Sequence, residues 1–283
     1  MKENKKRKNY FSNEGTDKKK KKRLALENGM RGFLCTCNFR ERDCIREAYN
    51  LLNEYSDKIC ESQKKQLETL DIEGKVELVE NELTVNKNVE EKDYNIKQIT
   101  EDISVALNKE IDELKAEAVK PLSQKRFQVI DTGVKNVIFI KSMIPDTLEL
   151  LTAIIEDLQK TKKQKTRYLL RMLPIQIVCK AYLDDIKPKV EVLFEQYFTQ
   201  EPKTFCIVFN RRSNSNLHRN EVIDDLAQII SKKNPGNRTN LKNPDIAVVI
   251  EVIRAVCLIS IAPLYFTYKK YNLLEICNQK IKI

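Results

Sequence analysis

The sequence predicts a mixed α/β protein (α+β in layout): two packed units, a disordered basic tail before them and a disordered acidic insertion within the first. Three observations predict this. Short β-branched apolar runs alternate with stretches whose apolar residues recur at helical spacing. Charge is segregated, with eleven Lys/Arg against three acids in residues 1–23 and sixteen acids against nine bases in residues 61–120. Turn signals, Asp131-Thr132-Gly133 and Asn234-Pro235-Gly236, punctuate the apolar runs. At 283 residues and 41% hydrophobic, the chain can bury a sizeable core in one or two domains.

Arg31–Cys37 (RGFLCTC) reads as the first strand. Asn38, with Glu41 three residues on, forms a capping-box pattern that opens a helix running to about Tyr55 through Cys44, Ala48, Leu51 and Leu52. Residues 58–100 lack apolar periodicity and read as the disordered insertion. Ile103, Leu107, Ile111, Leu114 and Ala118 mark an amphipathic helix that Pro121 ends. Phe127–Ile130 and Asn136–Lys141 pair across the Asp-Thr-Gly turn as a hairpin. A helix from Asp146 to about Lys160 follows, with Leu148, Leu151, Ile154, Ile155 and Leu158 on one face, and Arg167–Pro174 reads as a fourth strand. Strand–helix–strand–strand–helix–strand is the ferredoxin-like order. Beyond Val178 come helix Ala181–Phe198, strand Thr204–Phe209, helix Arg219–Ser231 and strands Ile246–Ile253 and Ala255–Ile261. The division is a tail at 1–23, a ferredoxin-like domain at 24–178, a second α/β domain at 179–264 and a C-terminal extension at 265–283.

Net charge is +10 and pI about 9.1, which points first to nucleic acid. Residues 121–283 carry about +10, so the C-terminal part is basic without the tail. The eight cysteines show no disulfide-framework spacing, which suggests a reducing compartment. The longest uncharged apolar run, Ala255–Phe266, is too short for a bilayer, which takes roughly 20 residues, so a soluble intracellular protein without membrane contact is expected. Lys5, Lys6, Arg7 and Lys8, then Lys18, Lys19, Lys20, Lys21, Lys22 and Arg23, have the layout of a bipartite nuclear import signal. Nuclear residence, nucleoplasmic or nucleolar, is therefore expected.

Two basic segments are candidate RNA contacts. Lys160, Lys162, Lys163, Lys165, Arg167 and Arg171 cluster where a helix ends and a strand begins, and Arg167 and Arg171 would share a strand face. Arg211, Arg212 and Asn214 are read as a loop before a helix N-terminus, where guanidinium forks and exposed N–H groups suit phosphate. Lys232, Lys233, Arg238 and Lys242, and Lys269 with Lys270, are weaker candidates. The same cations also read as helix-end capping and solvated surface. The single histidine, His218, has no evident nucleophile to pair with, and Cys35, Cys37 and Cys44 lack a fourth metal ligand, so no catalytic or metal site is expected. With six glycines and no phosphate-cradling loop, no cofactor or small-molecule substrate is expected either.

Several stretches resemble one family when taken in order: GFLCTCNFRERDCIREAYNLLNEY, RFQVIDTGVKNVIFIKS, KTRYLLRMLP, NRRSNSNLHRNEVIDDLA and NPDIAVVIEVIRAVCLISI. They are similar to the eukaryotic THUMP-domain-containing tRNA acetylation adaptors, over Arg31–Tyr55 and about Lys125–Cys277. The resemblance implies that the second unit is a THUMP domain and that the chain captures tRNA, THUMP units being thought to grip its acceptor end. It further implies a partner RNA cytidine acetyltransferase, which forms N4-acetylcytidine in the D arm. Other THUMP proteins carry methyltransferase, thiouridine synthetase or deaminase domains, for which too little chain follows Ile261, so a non-catalytic adaptor is expected. The alternative is a protein-interaction scaffold whose basic surface meets an acidic partner.

Overall fold

A computed structural model of the protein describes residues 24–80 and 125–278. The two basic clusters of residues 1–23, the expected amphipathic helix at 103–118 and the last residues of the C-terminal extension lie outside the described residues.

The first unit runs β1 (Gly32–Cys37), α1 (Glu41–Glu80), β2 (Phe127–Ile130), β3 (Val137–Ser142), α2 (Thr147–Thr161) and β4 (Leu169–Ile175). Its strands lie in the order β2-β3-β1-β4, and every neighbouring pair is antiparallel, as the ferredoxin-like fold requires. α2 forms because Leu150, Leu151, Ile154, Ile155 and Leu158 fall on one buried stripe. The Asp146 carboxylate caps it by accepting the N–H groups of Leu148 and Glu149 at 2.8 and 3.0 Å, a cap worth about 1 kcal/mol.

The second unit runs β5 (Ile177–Lys180), α3 (Leu183–Phe198), β6 (Thr204–Arg212), α4 (Arg219–Lys233), β7 (Arg238–Thr239), β8 (Ile246–Ile253) and β9 (Val256–Pro263). The sheet order is β5-β9-β8-β6-β7, with β6 parallel to β7 and β8, and β9 antiparallel to β8 and β5. All of β8 is buried, which accounts for its continuous IAVVIEVI run. Val248, Ile250 and Val252 share a core with Phe194 and Leu226 of α3 and α4. The alternate residues Ala247, Val249 and Ile253 join the core of the first unit. The chain after β9 returns to that first core through Tyr265, Tyr268, Tyr271, Leu273 and Ile276, ending in the short helix α5 (Leu273–Cys277).

Arg171 of β4 sits where these parts meet. Its Nη1 is 3.8 Å from Glu251 Oε1 of β8, its Nε donates to the Lys270 carbonyl at 2.7 Å, and its Nη2 donates to the Tyr265 hydroxyl. The Glu251 side chain is only 2% exposed and also accepts from Asn210 Nδ2 of β6 at 2.8 Å. One guanidinium thus joins the first sheet, the second sheet and the C-terminal segment.

Several elements differ from the sequence reading. α1 does not stop at Tyr55 and residues 58–80 are helical, so the insertion does not begin at 58. Pairs such as Glu54–Lys58 at 2.7 Å support the helix past Tyr55, where residues one turn apart face each other. The Asn38–Glu41 capping box does not form, because the helix begins at Glu41 and the Glu41 carboxylate instead accepts the Asn136 N–H at 2.7 Å. β5 was not expected as a separate strand: at Gln176 the chain leaves the first sheet and pairs with β9. Arg211 and Arg212 are not in a loop but end β6, opposite Val252 and Ile253. Arg167 lies before β4, and the register shifts at Thr36/Cys37, so Arg167 and Arg171 do not share a strand face. Among the described residues, no helix is long and apolar enough to cross a membrane.

Arg171→Ala leaves the buried Glu251 carboxylate without its cation, and the expected loss in urea unfolding is about 3–5 kcal/mol. The double variant Arg171→Leu/Glu251→Leu recovers most of that loss. A single variant within about 1 kcal/mol of wild type would remove Arg171 from this structural role.

Candidate nucleic-acid interface

Strand register brings a set of loops to one end of the molecule. In the first sheet that end holds the last residues of β1 and β2 and the first residues of β3 and β4, because Thr36 faces both Val137 and Arg171. In the second sheet it holds the last residues of β6 and β8 and the first of β9. The Arg171–Glu251 pair and the packing of Arg254 against Gly133 place the two ends together. The loops at 131–136, 162–168 and 213–218 and the turn at 254–255 therefore form one surface.

The basic residues gathered there divide into those with internal partners and those left for a ligand. Arg171 is occupied at the unit junction, as described. Lys165 is occupied as well: its ammonium lies 2.8 Å from Glu54 Oε1 and from the Tyr55 hydroxyl, and 3.3 Å from Asp157 Oδ2. Burial alone would lower the Lys165 pKa, but the hydrogen bonds with Glu54 and Tyr55 outweigh it and the pKa is raised. The Glu54 carboxyl is held below its usual range chiefly by its bond from Lys165, and that of Asp157 by its bond from Tyr55. Lys162 ends α2 in the left-handed conformation, with φ 53°, and its ammonium reaches the Ile276 carbonyl at 3.5 Å. Asn214 serves the backbone: its Nδ2 donates to the Arg254 carbonyl at 2.6 Å, while its Oδ1 accepts from Asn216 N and Leu217 N.

Lys163 and Arg167 are exposed. The Arg167 guanidinium lies 5.5 Å from the Tyr168 ring centroid, and Arg40 of the neighbouring loop lies 5.4 Å from the same ring. Arg211 is exposed and donates one N–H, from Nη1, to the Leu217 carbonyl at 3.0 Å; Arg212 beside it is half-buried. Both precede the N-terminus of α4, whose first N–H groups add positive potential. Lys232, Arg238 and Lys242 are not part of this group, since Arg238 pairs with Thr204 at the opposite end of β6. Lys233 is paired with Glu195. Lys269 and Lys270 flank the backbone that Arg171 holds. His218 precedes α4 and makes no side-chain cap bond.

Sequence reasoning missed three contributors. Glu47 of α1 accepts the N–H groups of Arg167, Tyr168 and Leu169 at 2.8–2.9 Å, fixing the basic loop from beneath. Its partners lie more than a hundred residues away, so no local pattern marks it. Tyr168 and Arg254 were legible only as an aromatic near lysines and as a charge interrupting two apolar runs. Cys35, Cys37 and Cys44 are buried, unbridged thiols of the first core.

The THUMP domain family pattern matches residues 180–262. Over 252 residues the chain is 40% identical to THUMP domain-containing protein 1 of Mus musculus, spanning 89% of this chain and 65% of the relative. It is 35% identical over 267 residues to the THUMP domain-containing protein 1 homolog of Drosophila melanogaster, spanning 92% of this chain and 78% of the relative. The chain belongs to the THUMP domain-containing protein 1 family. It covers slightly less than two thirds of the length of its mammalian relatives. The solution structure of the THUMP domain of THUMP domain-containing protein 1 is 41% identical, covering 30% of this chain and 87% of that one, with a TM-score of 0.28. The pattern match assigns the second unit as the THUMP domain, beside a first unit whose strand order is ferredoxin-like.

The lowered carboxyl pKa values of Glu54 and Asp157 stabilise the fold above the ordinary carboxylate range near about 4, and that contribution is lost as pH falls through the lowered folded values. Lys165→Met is therefore expected to lower Tm near neutral pH, with the gap from wild type closing below about pH 4. A gap that stays constant with pH, followed by calorimetry, would show that packing and not charge is lost.

Proposed function

We propose that the chain is a non-catalytic tRNA-binding adaptor that presents tRNA to an RNA cytidine acetyltransferase for N4-acetylcytidine formation. The observation that carries this reading is the single end of the molecule where both units contribute exposed cations, Lys163, Arg167 and Arg211, on backbone fixed from within by Glu47 and Asn214. Guanidinium and ammonium groups on rigid loops hold phosphate; they are poor proton carriers near neutral pH, so the surface suits capture and not chemistry. Most of the affinity then comes from phosphate neutralisation and falls steeply with salt. Specificity rests on the shape of a structured RNA spanning both units. Membership in the THUMP domain-containing protein 1 family supports a structured RNA such as tRNA, and the ordered sequence words described above support the acetylation role. No cofactor or small-molecule substrate enters this reading. We further propose nuclear residence, directed by the two basic clusters in residues 1–23, Lys5–Lys8 and Lys18–Arg23.

Binding of the whole chain to tRNA, measured over a salt series, is expected to fall at least about tenfold in Arg211→Ala/Arg212→Ala, with the fold retained. Unchanged affinity at physiological salt would contradict the assignment. Adding the chain to the acetyltransferase is expected to raise N4-acetylcytidine formation on tRNA. A complex that survives RNase and gives no stimulation would favour the protein-interaction scaffold instead.

A further inference from the structure

The turn joining β8 to β9 consists of Arg254 and Ala255, and Arg254 adopts φ 53°. A tight hairpin favours Gly or Asn at a left-handed position, and an arginine there is disfavoured. The strained backbone is held from two sides: Arg254 N donates to the Arg212 carbonyl at 2.9 Å, and the Arg254 carbonyl accepts from Asn214 Nδ2 at 2.6 Å. Two hydrogen bonds thus tie Arg212 and Asn214 to the Arg254 backbone.

The Arg254 side chain crosses from the second unit to the first. It lies against Gly133 in the β2–β3 turn, where an added Cβ would fall 2.5 Å from Nη1 and 2.6 Å from Cζ. Gly133 has φ +67°, so the bare backbone there both makes the turn and leaves room for the guanidinium. Asp131 Oδ1 accepts the Gly133 N–H at 2.8 Å and fixes the platform. Arg254, Gly133 and Asp131 line one side of a cleft of about 340 Å³ between the units, together with Leu26, Ile253 and Val256. Arg254 is exposed, and its guanidinium makes no ion pair or hydrogen bond among the described residues. A staple whose only purpose was to join the units would be expected to end on an acceptor. This one rests on bare backbone at Gly133, in an exposed residue whose own backbone is bonded to Arg212.

We propose that Arg254 is a phosphate-binding residue placed across the joint between the two units, where with Arg212 it takes one backbone phosphate of a bound RNA. Strain at a ligand clamp is tolerated when surrounding bonds fix it, and here Arg212 and Asn214 do so. This rests on the tRNA-binding reading above and extends it to a residue of the second unit whose side chain reaches the first.

Arg254→Gly and Arg254→Asn test it, since both residues accept the left-handed backbone while removing the charge. In the full chain, tRNA affinity is expected to fall about tenfold. The slope of log K against log salt is expected to become shallower by about 0.7–0.9, the share of one phosphate. The Tm of Arg254→Gly should equal or exceed that of wild type, because a strained position has been relieved. If both variants bind tRNA as wild type does, with an unchanged salt slope and a lowered Tm, Arg254 is a structural staple and the proposal falls alone. If the wild-type chain itself does not bind tRNA, the adaptor reading falls and takes this proposal with it.

Discussion

The arrangement of the two units depends on a charge pair between a buried carboxylate, Glu251, and a half-buried guanidinium, Arg171. Arg171 and Glu251 approach from different sheets, and the guanidinium continues to the Lys270 carbonyl and the Tyr265 hydroxyl of the C-terminal segment. Apolar side chains of both sheets, among them Met172 and Leu173 of β4 and Val249, Ile253 and Leu258 of the second sheet, share one core and give the hydrophobic contribution. They are permissive about register, whereas a buried carboxylate tolerates few placements of its partner. The pair therefore sets which strand ends coincide, and the strand ends carry the basic loops.

That constraint explains why one end of the molecule is suited to a polyanion. Several acidic groups near it are engaged internally: Glu47 with three backbone N–H groups, Glu54 and Asp157 with Lys165, and Glu251 with Arg171, while Asp131 and Glu41 stay exposed and each accepts a backbone N–H of the 131–136 loop. Each of these carboxylates fixes a loop or joins two elements, and the charges of Glu47, Glu54, Asp157 and Glu251 are met by N–H donors or cations of the protein itself. The outward cations sit on backbone that is already ordered, so binding costs less conformational entropy than it would on mobile loops. A rigid, two-unit surface of this kind reads the spacing of phosphates in a folded RNA better than any base sequence.

Much of the fold is legible in the sequence because burial and periodicity speak locally. The α2 stripe from Leu150 to Leu158, the Asp146 cap and the continuous β8 run each announce themselves within one window. The order of elements in the first unit follows from them. The site was less legible. Arg171 and Lys165 look like neighbours of Lys163 and Arg167 in a basic segment, yet their partners come from α1, α2 and β8, and only tertiary contact separates structural cations from exposed ones. α1 outruns its apolar periodicity, and residues 57–62, beyond its buried stretch, are exposed or half-buried. β5 is hidden because one apolar stretch, Leu169–Lys180, serves two sheets, with the change at Gln176. Arg254 is silent in sequence because its conformation, not its residue type, makes it unusual.

Amide hydrogen exchange of the whole chain with and without saturating tRNA tests the central claim most directly. Slower exchange is predicted at 131–136, 162–168, 211–218 and 254–255, loops contributed by both units at the same end. The opposite end, at 143–146 and 234–245, should exchange at its unbound rate. Protection confined to that opposite end, or to one unit alone, would contradict the account.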